Sequence, residues 1–158
     1  MSKPLITAFF YQTALGRVGI GSDGRAITNL FFSNTVRPDC YSEEETPLIC
    51  RAAEQLSEYL SGSRKVFDLP LSPKGTDFER SVWSALTQIP YGEIRSYKDI
   101  ASNIDNPKGV RAVGRANGRN PISIFIPCHR VIGADGRLTG YAGGIDLKKW
   151  LLDLEKGI

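Results

Sequence analysis

Histidine is almost missing from this chain: His129 stands alone among 158 residues. Cysteine is sparse too, with three copies (Cys40, Cys50 and Cys128) and no CxxC pair. A structural zinc site needs four such ligands at short spacings, so no metal site is expected. An odd cysteine count argues against a disulfide framework and for free thiols in a reducing compartment. No stretch approaches the roughly 20 apolar residues of a membrane span. The N-terminus also lacks the basic-then-apolar pattern of a secretory signal. No membrane association and a cytoplasmic location are the expectation.

What is present is ordinary in amount and uneven in placement. Hydrophobic residues make up 41% and charged residues 23%, as in globular proteins generally. The net charge of +3 is asymmetric: residues 1–73 carry seven Lys/Arg against eight Asp/Glu, residues 74–158 thirteen against nine. Positive charge therefore gathers in the second half, where a polyanion would bind.

The first half reads as strands followed by a helix. Leu5 to Gln12, Val18 to Gly21 and Ala26 to Phe32 are β-prone, with turn signals at Leu15-Gly16-Arg17 and Ser22-Asp23-Gly24. They predict an antiparallel meander. The acidic run Glu43-Glu44-Glu45 reads as a solvated loop or helix entry. From Pro47 the spacing turns helical, with Leu48, Ala52, Leu56 and Tyr59-Leu60 on one face and Ser61-Gly62 as the stop. Val66 to Leu71 suggests a last strand, and Pro70, Ser72-Pro73 and Gly75 mark a linker. Cys40 and Cys50 read as ordinary small residues.

The second half opens on a capping box, Thr76-Asp77-Phe78-Glu79, before a helix whose apolar face is Phe78, Val82, Ala85-Leu86 and Ile89. Ser96 is placed to cap a second helix, Tyr97 to Ile104. Asn106, with Pro107 behind it, is placed to cap a third that ends at Gly118. Two short helices with a tight connection suggest a helix-turn-helix. On the third helix Lys108, Arg111, Arg115 and Arg119 stand three or four residues apart and form a positive stripe. Gly109, Ala112, Gly114 and Ala116 lie between them and allow close approach of a partner. DNA binding is the expectation, against the plainer alternative of a solvated basic face. Asp146 is placed to cap a final helix with Leu147, Trp150-Leu151 and Leu154 on its core face. Glu155 reads as a surface acid.

Chemistry concentrates in Ile124-Phe125-Ile126-Pro127-Cys128-His129-Arg130-Val131-Ile132. A cysteine becomes a strong nucleophile as a thiolate, which needs a nearby base or cation. His129 and Arg130 supply both types. Along a strand the neighbouring side chains would point apart, whereas a turn at Pro127 would bring them together. The word Pro-Cys-His-Arg-Val, preceded by Asn120-Pro121 and followed by Gly140-Tyr141-Ala142-Gly143-Gly144, resembles the active-site signature of the O6-alkylguanine-DNA alkyltransferases, also called methylated-DNA–protein-cysteine methyltransferases. The resemblance is strongest from Thr76 to Glu155.

That resemblance implies an α+β protein. A small ribonuclease H-like N-terminal domain (residues 1–73), with an antiparallel sheet and a helix, precedes a mostly helical domain (residues 74–158) for DNA binding and alkyl transfer. It implies irreversible transfer of an alkyl group from O6 of guanine, and from O4 of thymine, in duplex DNA to the protein's own cysteine. The target base is stacked inside the duplex and must be flipped out. Cys128 would be the nucleophile, His129 its base through a water, and Glu155 the carboxylate that holds the imidazole. Arg111 would fill the gap left by the flipped nucleotide. Tyr97 would crowd the adjacent phosphate and donate to N3 of the leaving guanine. Lys108, Ala112, Gly114, Arg115 and Arg119 would face DNA, with the helix in the minor groove. Asn120 would be the hinge after that helix. The carbonyls of Cys128 and Val131 would accept from the guanine amine, Ala142 N–H would bind O6, and Tyr141 would line the pocket.

No cofactor is implied, and a monomer that clusters on DNA is expected. Arg115 and Arg119 are bulkier than the residues often found there, and Ser123 stands where some relatives have proline, which suggests a more open pocket. The rival readings are a non-enzymatic DNA-binding regulator or lesion sensor, and a Cys-His hydrolase or thiol sensor. Family relatives that bind lesions without transfer lack the cysteine, and a hydrolase has little use for the basic helix.

Overall fold

A computed structural model describes residues 6–33 and 41–157. Cys40, Pro38 and the ends of two expected segments fall outside that range. The chain divides into two compact units, Met1–Pro73 and Lys74–Ile158. Among the described residues no helix is long and apolar enough to cross a membrane.

The first unit is a four-stranded sheet in the order β3-β2-β1-β4, with one helix. Strands β1 (Ile6–Thr13), β2 (Gly16–Ser22) and β3 (Ile27–Phe32) form the meander, joined by turns at 14–15 and 23–26. Phe10 faces Gly19 across the first pair, and a Cβ there would lie 2.3 Å from the Phe10 ring, so the ring needs the glycine. The acidic run is not wholly loop. Tyr41–Glu43 forms β4, parallel to β1 at the sheet edge, and Glu45 accepts from the Tyr11 hydroxyl at 2.6 Å. Helix α1 (Pro47–Leu60) is capped by Thr46 and buries Ile49, Ala52, Leu56 and Tyr59, with Ile49 taking the place expected for Leu48. No strand forms over Val66 to Leu71. Only Leu71 bridges Ile27, because Gln55 on α1 takes the Asp68 backbone N–H instead.

In the second unit Thr76 and Glu79 make the expected capping box on α2 (Asp77–Leu86), and Ser96 caps α3 (Tyr97–Asn103) as expected, with Asp99 accepting the Ser96 N–H in return. Helix α4 (Val110–Gly118) starts later than the sequence suggests. Asn106 and Pro107 form a turn, closed by Gly109 N–H on the Asn106 carbonyl at 2.9 Å, and Gly109 is the cap. Trp83, 2% exposed, donates from its indole to the Ala116 carbonyl at 2.8 Å and ties α2 to α4. A two-residue parallel pairing joins β5 (Arg95–Ser96) to β6 (Val131–Ile132) and fixes the start of α3 beside the cysteine segment.

The last helix, α5 (Ile145–Lys156), is capped by Gly144 rather than Asp146, which sits in the first turn. Its core face also differs. Lys148, Leu151, Leu152 and Glu155 are buried, while Trp150 is 41% exposed. Two of these four buried residues carry charge, so a search for an apolar stripe picks the neighbouring face.

Candidate active site

The apolar run before Cys128 is not a strand. Asn120 holds it in a closed loop: its Nδ2 donates to the Ile126 carbonyl at 2.8 Å and its Oδ1 accepts the Ile122 N–H at 3.0 Å. Ile126 N–H closes on the Ile122 carbonyl at 2.9 Å. Ile124 takes a φ of 74°, a left-handed conformation that is strained for a β-branched residue. The chain leaves this loop through Pro127 into a short 3-10 turn, Cys128–Arg130. Every residue from Ile122 to Arg130 is buried, Ser123 included at 3% exposure, so the serine does not face an opening.

The turn sends His129 and Arg130 to one carboxylate. Glu155 is 7% exposed, not a surface acid, and accepts His129 Nε2 at 2.7 Å. Arg130 reaches the same carboxylate through Nε at 2.8 Å and Nη2 at 2.9 Å, and donates from Nη1 to the Ile89 carbonyl at 2.7 Å. The Gly92 N–H adds a further bond to Glu155 at 3.1 Å. An acceptor of so many N–H groups is a carboxylate, so His129 Nε2 carries a proton and the ring's basic lone pair lies on Nδ1. Burial holds the imidazole below its ordinary value, with Glu155 pulling the other way. A neutral imidazole is the form that takes a proton.

Gly92 has a φ of 82°, and a Cβ there would lie 3.3 Å from the Glu155 carbonyl. Gly92→Ala is therefore expected to cost about 1–2 kcal/mol through left-handed strain. Chemical denaturation will measure it, and an unchanged midpoint would mean the turn is free to relax.

Arg130, the cation expected beside the thiol, is spent on Glu155. The charge of Lys148 acts on the thiol instead. Its side chain is fully buried, Nζ donates to the Thr139 carbonyl at 2.8 Å, and it lies 5.9 Å from the Tyr97 ring centroid. Cys128 is 3% exposed. Burial pushes its thiol up, and the Asn120 and Ser123 side chains, then Lys148, draw it back down. Tyr97, half-buried, places its hydroxyl 3.0 Å from Thr139 Oγ1 and 3.3 Å from the Thr139 carbonyl. Tyr141 meets the His129 ring edge-on, with centroids 6.5 Å apart, and Ala142 beside it is exposed. The Cys128 carbonyl already takes the Val131 N–H and Asn117 Nδ2, the latter at 3.4 Å.

Helix α4 turns Val113, Ala116 and Asn117 inward and Arg111 and Arg115 outward, with Ala112 and Gly114 between. Arg111 and Arg115 make no ion pair among the described residues. Lys108 is exposed in the turn before the helix. Arg119, past the helix end, reaches Glu79 at 3.7 Å, so the stripe has two members on the helix and two flanking it.

Two family models cover the chain. One, described as 6-O-methylguanine DNA methyltransferase, ribonuclease-like domain, matches residues 6–73. The other, the DNA binding domain of the same family, matches residues 77–157. The chain belongs to the methylated-DNA–protein-cysteine methyltransferase family. Its relatives include the Methanosarcina acetivorans methyltransferase, 48% identical over 92% of this chain and 95% of the relative. The constitutive Bacillus subtilis protein is 49% identical over 92% of each chain. Among solved structures, Mycobacterium tuberculosis OGT in complex with DNA superposes with a TM-score of 0.90. It is 44% identical and covers 96% of this chain and 93% of that one. The α+β class, with a ribonuclease-like first part and a helical second part, is that of the family.

Around the signature, sequence reasoning missed Lys148, Thr139 and Asn117. Lys148 had a legible signal, since Lys148, Leu151, Leu152 and Glu155 follow helical core spacing. Thr139 acts through its carbonyl as well as its hydroxyl, and a backbone acceptor leaves no trace in sequence.

Proposed function

We propose that this protein repairs alkylated DNA by moving a methyl or other alkyl group from O6 of guanine, and O4 of thymine, irreversibly onto Cys128. The carrying observation is the buried His129–Glu155 pair at 2.7 Å on the turn that begins with Cys128, in the same unit as an exposed basic helix. In this reading residues 1–73 form the N-terminal α/β domain and residues 74–158 bind DNA and carry out transfer. The protein works in the cytoplasm as a monomer that clusters on duplex DNA.

His129 Nδ1 takes the thiol proton through a water, and Glu155 stabilises the imidazolium. The sulfur lone pair forms a C–S bond while the C–O6 bond breaks, its electron pair passing to the guanine ring. Tyr97 gives a proton to N3, and the proton released from sulfur restores the phenol by way of the imidazolium and solvent. For this Tyr97 must leave Thr139. The product is a thioether, which has no carbonyl for water to attack, so each molecule reacts once. Ala142 N–H meets O6, Tyr141 lines the pocket, and Asn120 keeps the loop closed behind the cysteine. The guanine amine is left to the Val131 carbonyl more than to the doubly engaged Cys128 carbonyl.

Incubation with duplex DNA bearing O6-methylguanine, followed by intact-mass measurement, tests the reading. One methyl per protein on the Cys128 peptide is expected, and more than one turnover per molecule would overturn it. Arg111, exposed and without an ion-pair partner among the described residues, is the side chain that replaces the flipped nucleotide in the stack, with Lys108, Arg115 and Arg119 on phosphates beside Ala112 and Gly114. Stacking of this kind is worth about 1–3 kcal/mol. Arg111→Ala is thus expected to slow duplex repair by about tenfold to a hundredfold and to spare reaction with free O6-methylguanine. Equal losses on both substrates would remove Arg111 from that role.

A further inference from the structure

On α1 the residues beside the β1–β2 hairpin are small. Cys50, Ala53 and Ser57 stand three or four positions apart, which puts them on one helix face. With side chains this short, a cavity of about 470 Å³ is left between helix and hairpin, lined by residues of the first unit alone. Its floor is apolar and sealed: Val18 and Ile20 are 0% exposed and Leu56 1%. Its mouth is acidic. Glu54 lines it, and Glu45 accepts the hydroxyl of the lining residue Tyr11 at 2.6 Å. No Lys or Arg lines the cavity. Among the described residues neither carboxylate makes an ion pair, and nearby cations are engaged elsewhere: Arg17 over the Phe10 ring, Arg51 with Asp68 and Arg64 with Glu58.

We propose that this cavity is a binding site for a small organic ammonium ion, with its apolar body on Val18, Ile20 and Leu56 and its charge against the Glu54 and Glu45 carboxylates. Pockets for small molecules run from about 300 to 1,000 Å³ and are mostly apolar with a few polar groups, and this one fits both descriptions. The sign of the mouth selects the class. An anion would be repelled there, and a neutral molecule would leave both carboxylates unanswered. Two groups of the protein already register that sign. Burial first, then the hydrogen bond to Glu45 and the nearby negative charges, push the Tyr11 phenol up. Burial, then the charges of Glu54 and Glu45, push the Cys50 thiol up. Both groups therefore stay protonated at neutral pH, and the two carboxylates supply the charge. Cys50 Sγ lies 3.8 Å from Glu54 Oε1, so a cation seated on Glu54 covers the thiol. None of these residues takes part in alkyl transfer, so the site stands or falls separately from that reading.

The full chain is titrated with 2-phenylethylammonium, with neutral 2-phenylethanol and with anionic phenylacetate, and its amide NMR signals are followed. The ammonium is expected to shift the Ala14, Ala53 and Ser57 amides saturably, the alcohol to bind more weakly, and phenylacetate to leave them unmoved. Equal responses to all three, or no saturable shift with the ammonium, would overturn the proposal, and this arm needs no variant. Glu54→Gln is expected to weaken the ammonium by about twofold to fivefold, the strength of one exposed ion pair, and to leave the alcohol unchanged. A loss shared by both ligands would show that charge is not what is recognised. Ala53→Leu extends a half-buried side chain into the cavity and should abolish binding of both. Unchanged binding in that variant would put the ligand elsewhere. Alkylation of Cys50 by iodoacetamide, read on its own peptide by mass spectrometry, should slow as the ammonium saturates. A rate indifferent to the ammonium would equally sink the site.

Discussion

Cys128→Ser is expected to give a folded, DNA-binding protein that transfers no methyl group. Serine differs from cysteine by one atom, and the Asn120 and Ser123 side chains beside the thiol can serve a hydroxyl. The loss falls on reactivity. A hydroxyl is far harder to ionise than a thiol, and its site is buried, where any anion is penalised further. His129 can draw a proton from sulfur but not usefully from that oxygen when the electrophile is a saturated carbon. Intact mass after incubation with O6-methylguanine duplex should show no added methyl, whereas a gel shift on the same duplex should match the native protein. Methylation of the serine variant elsewhere, for instance on the half-buried Cys50, would show that Cys128 is not the acceptor.

Removing the Glu155 carboxylate should be the most damaging single change to stability in the second unit. Glu155→Ala strands the Arg130 guanidinium, 7% exposed, with the Ile89 carbonyl as its remaining hydrogen-bond acceptor among the described residues and the Tyr91 ring 5.7 Å away. Breaking a buried ion pair by deleting one partner costs about 3–5 kcal/mol. His129 loses its orienting acceptor in the same step. Glu155→Gln separates the two effects, because the amide keeps an acceptor oxygen for one donor but no negative charge for the imidazolium. Denaturant titration should therefore rank native above Gln above Ala. The transfer rate should fall in both variants even at temperatures where both are folded. A Glu155→Gln protein with native transfer kinetics would remove the carboxylate from the chemistry and leave it a structural role.

The helix caps at Thr76 and Ser96, the helix-turn-helix and the cysteine signature were legible because each is a local pattern with a local cause. The Thr76–Glu79 box and the Ser96 cap each need only four consecutive residues. Three features were not legible. Tyr41–Glu43 is a strand because β1 offers it an edge, which its acidic sequence does not announce. Ile122 to Ile126 has strand composition, yet Asn120 closes it into a loop and forces Ile124 to positive φ. The buried face of α5 was hidden because hydrophobicity was used to find it, and half of its buried residues are ions. Arg130 offers a cation two residues from the thiol in sequence, yet the turn directs it to a carboxylate 25 residues away.

That last helix has a consequence for how such proteins are recognised and handled. A fragment ending before Leu147 would keep the Pro-Cys-His-Arg-Val word and the whole basic helix. It would still look complete to anyone scanning for the signature, and its thiol would begin a turn whose histidine and arginine had lost the carboxylate they share. Competence resides in a twelve-residue coda as much as in the motif, so fusions and trims belong beyond Gly157, never within it.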